Sequence, residues 1–427
     1  MTIRRFSTFA SRLAAATLAA SLLAAQPAAA QPGAAQSSAA QPAGLDTESL
    51  RRTLDAVHAA GMYGTYAHVA DGRQSWQGAA GVADIDTRRP VHPGMVHRAG
   101  SITKTFTAVA VMQQVGKGTI ELDAPIGRYL PDVVPGERGR RITVRMLLNH
   151  TSHIANHTEL VFPAIESLEA NRFRTFQARE LARSGLAAPP TGEPGALPGA
   201  YSNTNYILAG LLLEKVTGVG AERYITDHVI RKAGLRHTAF PRTPHIPGPN
   251  SKAYEALFGL FDPPRDFSVY NMSWAGTAGA VTSTMADLNR FFRLLLGGAL
   301  LDAGPLAEMQ RTVPVRSFSG AVFDYGLGIF PLDLPCGRFW GHDGSVPGME
   351  TLSFLDPGSG RQFSLGLNLR HYQQLDENGL PTAHAIDFAI RDHLLAAACG
   401  PDATAAAART AAPPLPLPLM DRGTLTP

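Results

Sequence analysis

Ser101 and Lys104 stand three residues apart, just after Gly100 and at the start of an apolar, periodic stretch. On a helix that spacing puts both side chains on one face, within hydrogen-bonding reach. A serine hydroxyl becomes a nucleophile only when a neighbouring base takes its proton. A lysine withdrawn from water can do so, because desolvation lowers its pKa. A helix N-terminus adds free N–H groups and a dipole that favour a developing oxyanion. Taken alone, the pair reads as readily as a helix cap followed by a surface lysine. A second group, Tyr201-Ser202-Asn203, follows Pro198-Gly199-Ala200 and opens another helical pattern. A tyrosine beside an ammonium group is expected to ionise more readily and shuttle a proton, and an asparagine amide can bind a substrate carbonyl. Ser and Asn are also ordinary N-caps. A third group is Gly341-His342-Asp343-Gly344-Ser345. Its glycines let a substrate backbone approach, and His342 is expected to bring positive or donor character beside a carboxylate or leaving group.

These groups need elements to hold them. Gly64–Val69 and Gln74–Ile85 read as strands around an Asp71-Gly72 turn. Helical patterns follow over Ile102–Val115, Asn203–Val216 and Met285–Leu296; the last starts with Thr284 and Asp287 as a capping-box variant and stops at Gly297-Gly298. Strands return at Arg338–Gly341, Met349–Leu355 and Gln362–Leu369, with Asp356-Pro357-Gly358 in the last turn. A helix over Ala383–Ala398 finishes the pattern. Strands at both ends with helices between imply an α+β fold: one antiparallel sheet built from both termini and flanked by helices. A helical lobe of about residues 105–270 is inserted in it, and the cleft between the two is the expected ligand site.

The chain has 427 residues, 44% of them apolar, and 38 Lys plus Arg against 35 Asp plus Glu. That balance, with no basic run, gives no nucleic-acid footprint. Arg4, Arg5 and Arg12 precede the uncharged run Leu13–Ala25, and Ala28-Ala29-Ala30 supplies small residues for cleavage. Residues 1–30 are therefore expected to be a signal peptide that exports a secreted or periplasmic protein. Residues 31–44 read as a spacer and 404–427 as a Pro/Ala-rich tail, leaving 45–403 as the catalytic unit. A monomer without a stable membrane anchor is expected. The two cysteines, Cys336 and Cys399, can form one disulfide in an oxidising compartment or remain buried thiols.

The three groups in this order resemble the serine β-lactamase/penicillin-binding superfamily. The branch is that of class C β-lactamases, D-alanyl-D-alanine carboxypeptidases and related esterases, nearest the secreted actinomycete carboxypeptidases. Leu148-Asn149-His150-Thr151-Ser152, Ala278-Gly279-Ala280-Val281-Thr282 and Tyr325-Gly326-Leu327-Gly328 extend the likeness over about residues 81–399. The resemblance implies an acyl-enzyme on Ser101, with Lys104 and Tyr201 exchanging its proton and His342 completing the catalytic set. It places the oxyanion between the backbone N–H groups of Ser101 and Ser345, beside Gly344. Asn203 would hold the acyl-side amide and Trp274 would wall the cleft. It also implies a Cys336–Cys399 disulfide. No metal or cofactor is required. Substrates would be peptides, amides or esters, with peptidoglycan stem peptides and β-lactams foremost. An esterase, a β-lactamase or a slowly turning-over penicillin- or muropeptide-binding sensor are the alternatives. Three departures bear on the substrate. The stretch Ile329–Pro335, with Phe330, lacks the Arg that reads a substrate carboxylate in the carboxypeptidase; Ser345 replaces Thr; and His153 stands where the family usually has Gly. His150, His153 and His157 lack a paired acidic ligand at a metal-binding interval, so a polar loop near the cleft is the expectation there.

Overall fold

The computed structural model describes residues 44–404. The expected signal peptide, nearly all of the spacer, and residues 405–427 of the tail lie outside them.

Helix α1 (Thr47–Ala59) begins where the Asp46 side chain accepts from Ser49 N. It buries Leu50, Leu54 and Val57, the i, i+4, i+7 stripe of a helix lying on a sheet. Strands β1 (Gly64–Asp71) and β2 (Gln74–Gly81) follow as a hairpin. After a long helical region the chain returns as β5 (Phe330–Leu334), β6 (Gly337–Val346), β7 (Met349–Leu355) and β8 (Gln362–Leu367). The sheet order is β5-β6-β7-β8-β1-β2, antiparallel throughout, so the expected joining of the two ends is the β8–β1 ladder, Thr65 opposite Leu367. Two short strands between these sets, β3 (Tyr254–Glu255) and β4 (Arg265–Asp266), join β9 (Leu369–Arg370) in a small three-stranded sheet.

The large sheet is covered on both faces. Helix α6 (Ala385–Cys399) and α1 share one apolar cluster with Phe339, Phe354, Phe363 and Leu365. On the other side lies α5 (Met285–Leu296), whose Leu288, Phe291, Phe292 and Leu295 follow the same helical stripe. Phe291 stacks on Phe106 of α2 (Thr103–Gly116), ring centroids 3.8 Å apart. Helix α2 is buried from Thr103 to Met112 without a break, as is α3 (Asn203–Thr217) from Thr204 to Leu213. Helices apolar all round belong inside a domain. The Cys336–Cys399 disulfide forms, Cα atoms 5.4 Å apart, and ties the turn before β6 to the end of α6.

The strand read as Arg338–Gly341 runs on to Val346 as β6, and three further departures from the sequence reading have a local cause. Strand β2 ends at Gly81, whose φ of +85° leaves the β region, and Ile85 lies in a turn where the Asp84 carboxylate accepts from Asp86 N and Thr87 N. The run after Gln362 breaks at Asn368, whose side chain bonds Gly64 N and Val82 O. At α5, Thr284 accepts from Asp287 N, but the Asp287 carboxylate turns away to His237 N and Thr238 Oγ1, so only half of the capping box exists.

Candidate active site

Ser101 lies in a single 3-10 turn, Gly100–Ile102, that runs directly into α2. Gly100 makes the entry possible. Its φ is +54°, and a Cβ there would lie 2.7 Å from Ser345 N. Gly344 is equally constrained, since a Cβ on it would lie 2.0 Å from Ala99 O and 2.8 Å from Ser101 N. Two backbones are thus pressed together, and the amides of Ser101 and Ser345 come to the same place. Glycine is required at both contacts. Ser101, Asn203 and Ser345 are half-buried and form the open side; Lys104, Tyr201, His342, Asp343 and Gly344 are buried beneath them.

Lys104 Nζ lies 2.9 Å from Ser101 Oγ, 2.6 Å from Asn203 Oδ1 and 2.9 Å from the Ala278 carbonyl at the end of α4 (Gly276–Gly279). Burial holds its pKa well below the usual lysine value, opposed by the charge of Asp343. The two oxygens of Asn203 and Ala278 can only accept. A neutral amine therefore spends both N–H bonds on them and turns its lone pair to the Ser101 hydroxyl. That is the geometry of a general base.

Tyr201 precedes α3, its N–H bonded to Arg316 O, and Lys104 Nζ sits 5.0 Å from its ring centroid. Its hydroxyl is buried without a formed hydrogen bond. The expectation of easy ionisation is corrected here: burial drives the phenol pKa well above 10, with Ser101 opposing it. A phenol that keeps its proton is a donor, and it lies poised beside the serine. Two rings hold it. Phe318 packs edge-on at 5.1 Å, and the His150 ring lies 4.1 Å away.

His342 is also corrected. It is fully buried, its Nε2 2.9 Å from Tyr325 Oη and its Nδ1 on the Asp343 carbonyl. The carbonyl can only accept, so Nδ1 carries the proton and Tyr325 donates to Nε2. Burial lowers the imidazole pKa despite Asp343. His342 is therefore a neutral support of β6, with no positive charge for the substrate. Asn203 likewise has its carbonyl oxygen on Lys104, while its Nδ2 donates to Thr158 Oγ1 at 3.2 Å. One N–H remains for an acyl-side carbonyl. Trp274 is buried against Phe162, and its Nε1 has no partner.

Two buried residues had no role in the sequence reading. Asp343 has neither carboxylate oxygen in a hydrogen bond; its recorded ion-pair contact is His342 Nδ1 at 3.5 Å. An acidic residue inside a strand motif that is otherwise uncharged was the available signal. His150, with φ +62°, accepts from Ser202 N and Asn205 Nδ2 through Nδ1 and stacks under Tyr201. His153 and His157 diverge from it. His153 bonds Thr191 and the Ala196 carbonyl, and His157 bonds Thr204 and the Trp274 carbonyl. Position 153 has a φ of +55°, the left-handed conformation that glycine adopts most easily, which accounts for the family's Gly; His153 takes it against that preference, held by Thr191 and the Ala196 carbonyl.

The missing cation has a physical counterpart as well. Phe330 of β5 is 1% exposed and packs on His342 and Phe354, centroids 5.2 and 5.3 Å away, so it fills the core and does not wall the cleft. Arg338 forms a bidentate pair with Asp333 across the ladder. It stands seven residues before Ser345 on β6, about 23 Å along the strand at ~3.3 Å per residue.

The Beta-lactamase family model matches residues 50–384, most of the chain. The chain belongs to that family. Among solved structures of the same fold, a D-stereospecific amidohydrolase from Streptomyces sp. is 34% identical with a TM-score of 0.71, covering 83% of this chain and 99% of its own. The D-amino acid amidase from Ochrobactrum anthropi SV3, solved with L-phenylalanine amide, is 26% identical with a TM-score of 0.67 over 75% of this chain and 90% of its own. Penicillin-binding protein 4* of Bacillus subtilis (strain 168) is 25% identical over 71% of this chain and 67% of its own length. This member of the beta-lactamase family is a serine hydrolase by fold and by relatives. No helix among the described residues is long and apolar enough to cross a membrane.

Proposed function

We propose that the chain is a D-stereospecific amide hydrolase acting through a Ser101 acyl-enzyme on amides and short peptides of D-amino acids. The observation that supports it most is the buried Lys104 amine, 2.9 Å from Ser101 Oγ and held by two groups that can only accept, Asn203 Oδ1 and the Ala278 carbonyl. Ser101 Oγ adds to the amide carbonyl as its proton passes to Lys104 Nζ. The amides of Ser101 and Ser345 take the oxyanion, whose stabilisation supplies much of the acceleration in such sites. Tyr201 gives its proton to the departing nitrogen and recovers one from Lys104; the C–N bond breaks and the ester on Ser101 remains. Water, deprotonated by the same amine, then adds to the ester carbonyl; the C–O bond to Ser101 breaks, Lys104 returns the proton to Ser101 Oγ, and the acid leaves.

The absence of a cation on β5 favours substrates without a free C-terminal carboxylate over those of a strict D-alanyl-D-alanine carboxypeptidase. A cation–carboxylate hydrogen bond is worth about 1.5–3 kcal/mol. The named D-amidohydrolase and D-amidase relatives support the same reading. The basic-then-apolar start, Arg4 to Ala30, supports work outside the cytoplasm. The test is intact-mass detection of a fluorophosphonate adduct, with rates on D- and L-phenylalanine amide, a D-Ala-D-Ala peptide and an ester. We expect one adduct, absent in Ser101→Ala, and D-amide turnover ahead of the D-Ala-D-Ala peptide. An adduct surviving Ser101→Ala, or preference for the L-amide, overturns the reading.

A further inference from the structure

Behind Ser345 lies a second set of buried ionisable groups that the proposed reaction does not use. The turn that follows it, Val346-Pro347-Gly348-Met349, closes the β6–β7 hairpin, with Ser345 opposite Glu350. Gly348 has φ +74°, and a Cβ on it would come 2.4 Å from the Ala253 carbonyl carbon, so the turn rests directly on the chain entering β3. There Glu255, 1% exposed, accepts from Gly348 N through Oε2 at 3.1 Å. Its Oε1 takes His371 Nδ1 at 2.8 Å and Leu257 N at 3.0 Å. Two residues along β7, Glu350 Oε1 meets Arg370 Nε at 3.2 Å, both side chains buried. The Glu350 carbonyl accepts His97 Nε2 at 3.0 Å, and Thr351 Oγ1 donates to Arg98 O, both groups lying just before Ser101.

The backbone around Glu255 is strained. Leu257, Phe258 and His371 have φ of +46°, +58° and +50°, a left-handed conformation that non-glycine residues adopt only when their surroundings impose it. Phe258 stacks on the His371 ring at 4.6 Å, and its N–H bonds the His371 carbonyl at 2.7 Å. The strain has one visible product. It brings the Leu257 N–H and the His371 imidazole onto one oxygen of Glu255 and leaves the other for the hairpin.

We infer that Glu255 is a positioning residue for the reaction: it fixes the Gly348 turn and, through the hairpin, the Ser345 amide that faces the oxyanion. This rests on the Ser101 acyl-enzyme reading. Oxyanion donors act only when held to a fraction of an ångström, and a displacement of about 1 Å can cost a hundredfold in rate. Glu255→Gln keeps the size and one acceptor but gives up the second acceptor and the charge opposite His371.

The experiment measures kcat and KM per competent site, counted by fluorophosphonate titration, on the best amide and ester. It is joined by the carbonyl stretching frequency of the acyl-enzyme and by inhibition with a boronic acid. For Glu255→Gln we expect kcat down about tenfold or more, with KM within about a factor of two. The acyl-carbonyl band should rise in frequency, because its hydrogen bonds weaken, and the boronate should lose affinity by the same factor as kcat. Glu255→Ala should exceed Glu255→Gln in each readout. Leu394→Val, a core change on α6, is the control for lost stability alone and should move neither the band nor kcat per site. An unmoved band with unchanged kcat in folded Glu255→Gln overturns the inference, as does an equal change in Leu394→Val. An adduct persisting in Ser101→Ala is a different failure, that of the acyl-enzyme reading beneath it.

Discussion

Two buried polar regions flank the amide of Ser345, and they differ in how far their groups are satisfied. Around Lys104, the Tyr201 hydroxyl, His150 Nε2, Trp274 Nε1 and both Asp343 oxygens have no hydrogen-bond partner, five of the eight such side-chain atoms among the described residues. Behind the hairpin, Glu255, His371, Glu350 and Arg370 are as deeply buried and leave none. A buried polar atom without a partner costs about 1–3 kcal/mol, so the first region is held open against its own stability by the second and by the core. Groups left unpaired are those a reacting substrate can engage; groups already bonded to one another serve to hold the hairpin in place.

That contrast can be broken from either side. The largest effect belongs to Ser101→Ala, expected to abolish the fluorophosphonate adduct and to lower amide turnover by at least about 10³-fold, read by intact mass and steady-state rates. Lys104→Met should follow, with kcat down about 10²–10⁴-fold and the protein still folded, because a buried amine is replaced by an apolar chain of similar length. Asp343→Asn is subtler. Asp343 raises the Lys104 pKa against the lowering by burial. Without that charge the amine loses its proton at lower pH, so the acidic limb of kcat/KM should move to lower pH. A limb that stays in place would separate Asp343 from the proton inventory of the site.

The smallest catalytic effect is expected on the paired side, where stability responds instead. Burial raises the Glu350 pKa from 4.5 to about 8, Arg370 opposing it. The folded protein thus holds a proton that the unfolded chain gives up, and the linked stability is full below about pH 4.5 and lost as pH rises through about 8. Glu350→Gln should flatten the fall of Tm with pH across that window. Thermal melts at several pH values check it, and an unchanged slope would mean that Glu350 is ionised throughout.

How much of this was legible in the chain follows the same division. Local signals were strong where one face of an element decides it. The helix of α5 and the Ser101/Lys104 spacing could be read directly, and strands at both ends implied one antiparallel sheet, though neither its order nor the edge strand β5 was legible. Long-range partners were not legible. Nothing near Asn368 shows that it closes over Gly64, and nothing near Glu255 points to Gly348, 93 residues away. Roles also failed where charge depends on burial. His342 and Tyr201 were read by residue type as a source of positive or donor character and as a ready acid, but desolvation makes one a neutral strut and the other a phenol that keeps its proton. Asp343 was in plain view within its motif, and only its depth gives it meaning.

The aromatic residue on β5 has a consequence for drug response. Penicillins and cephalosporins carry a carboxylate beside the reactive ring, and β5, whose Phe330 is turned into the core, has no cation to pair with it on the strand where the resembling carboxypeptidase has an Arg. A loss of about 1.5–3 kcal/mol is a factor of roughly ten to a hundred and fifty in affinity. Acylation of Ser101 by a penicillin is therefore expected to need a correspondingly higher concentration than in a carboxylate-reading relative, read as adduct formation by intact mass.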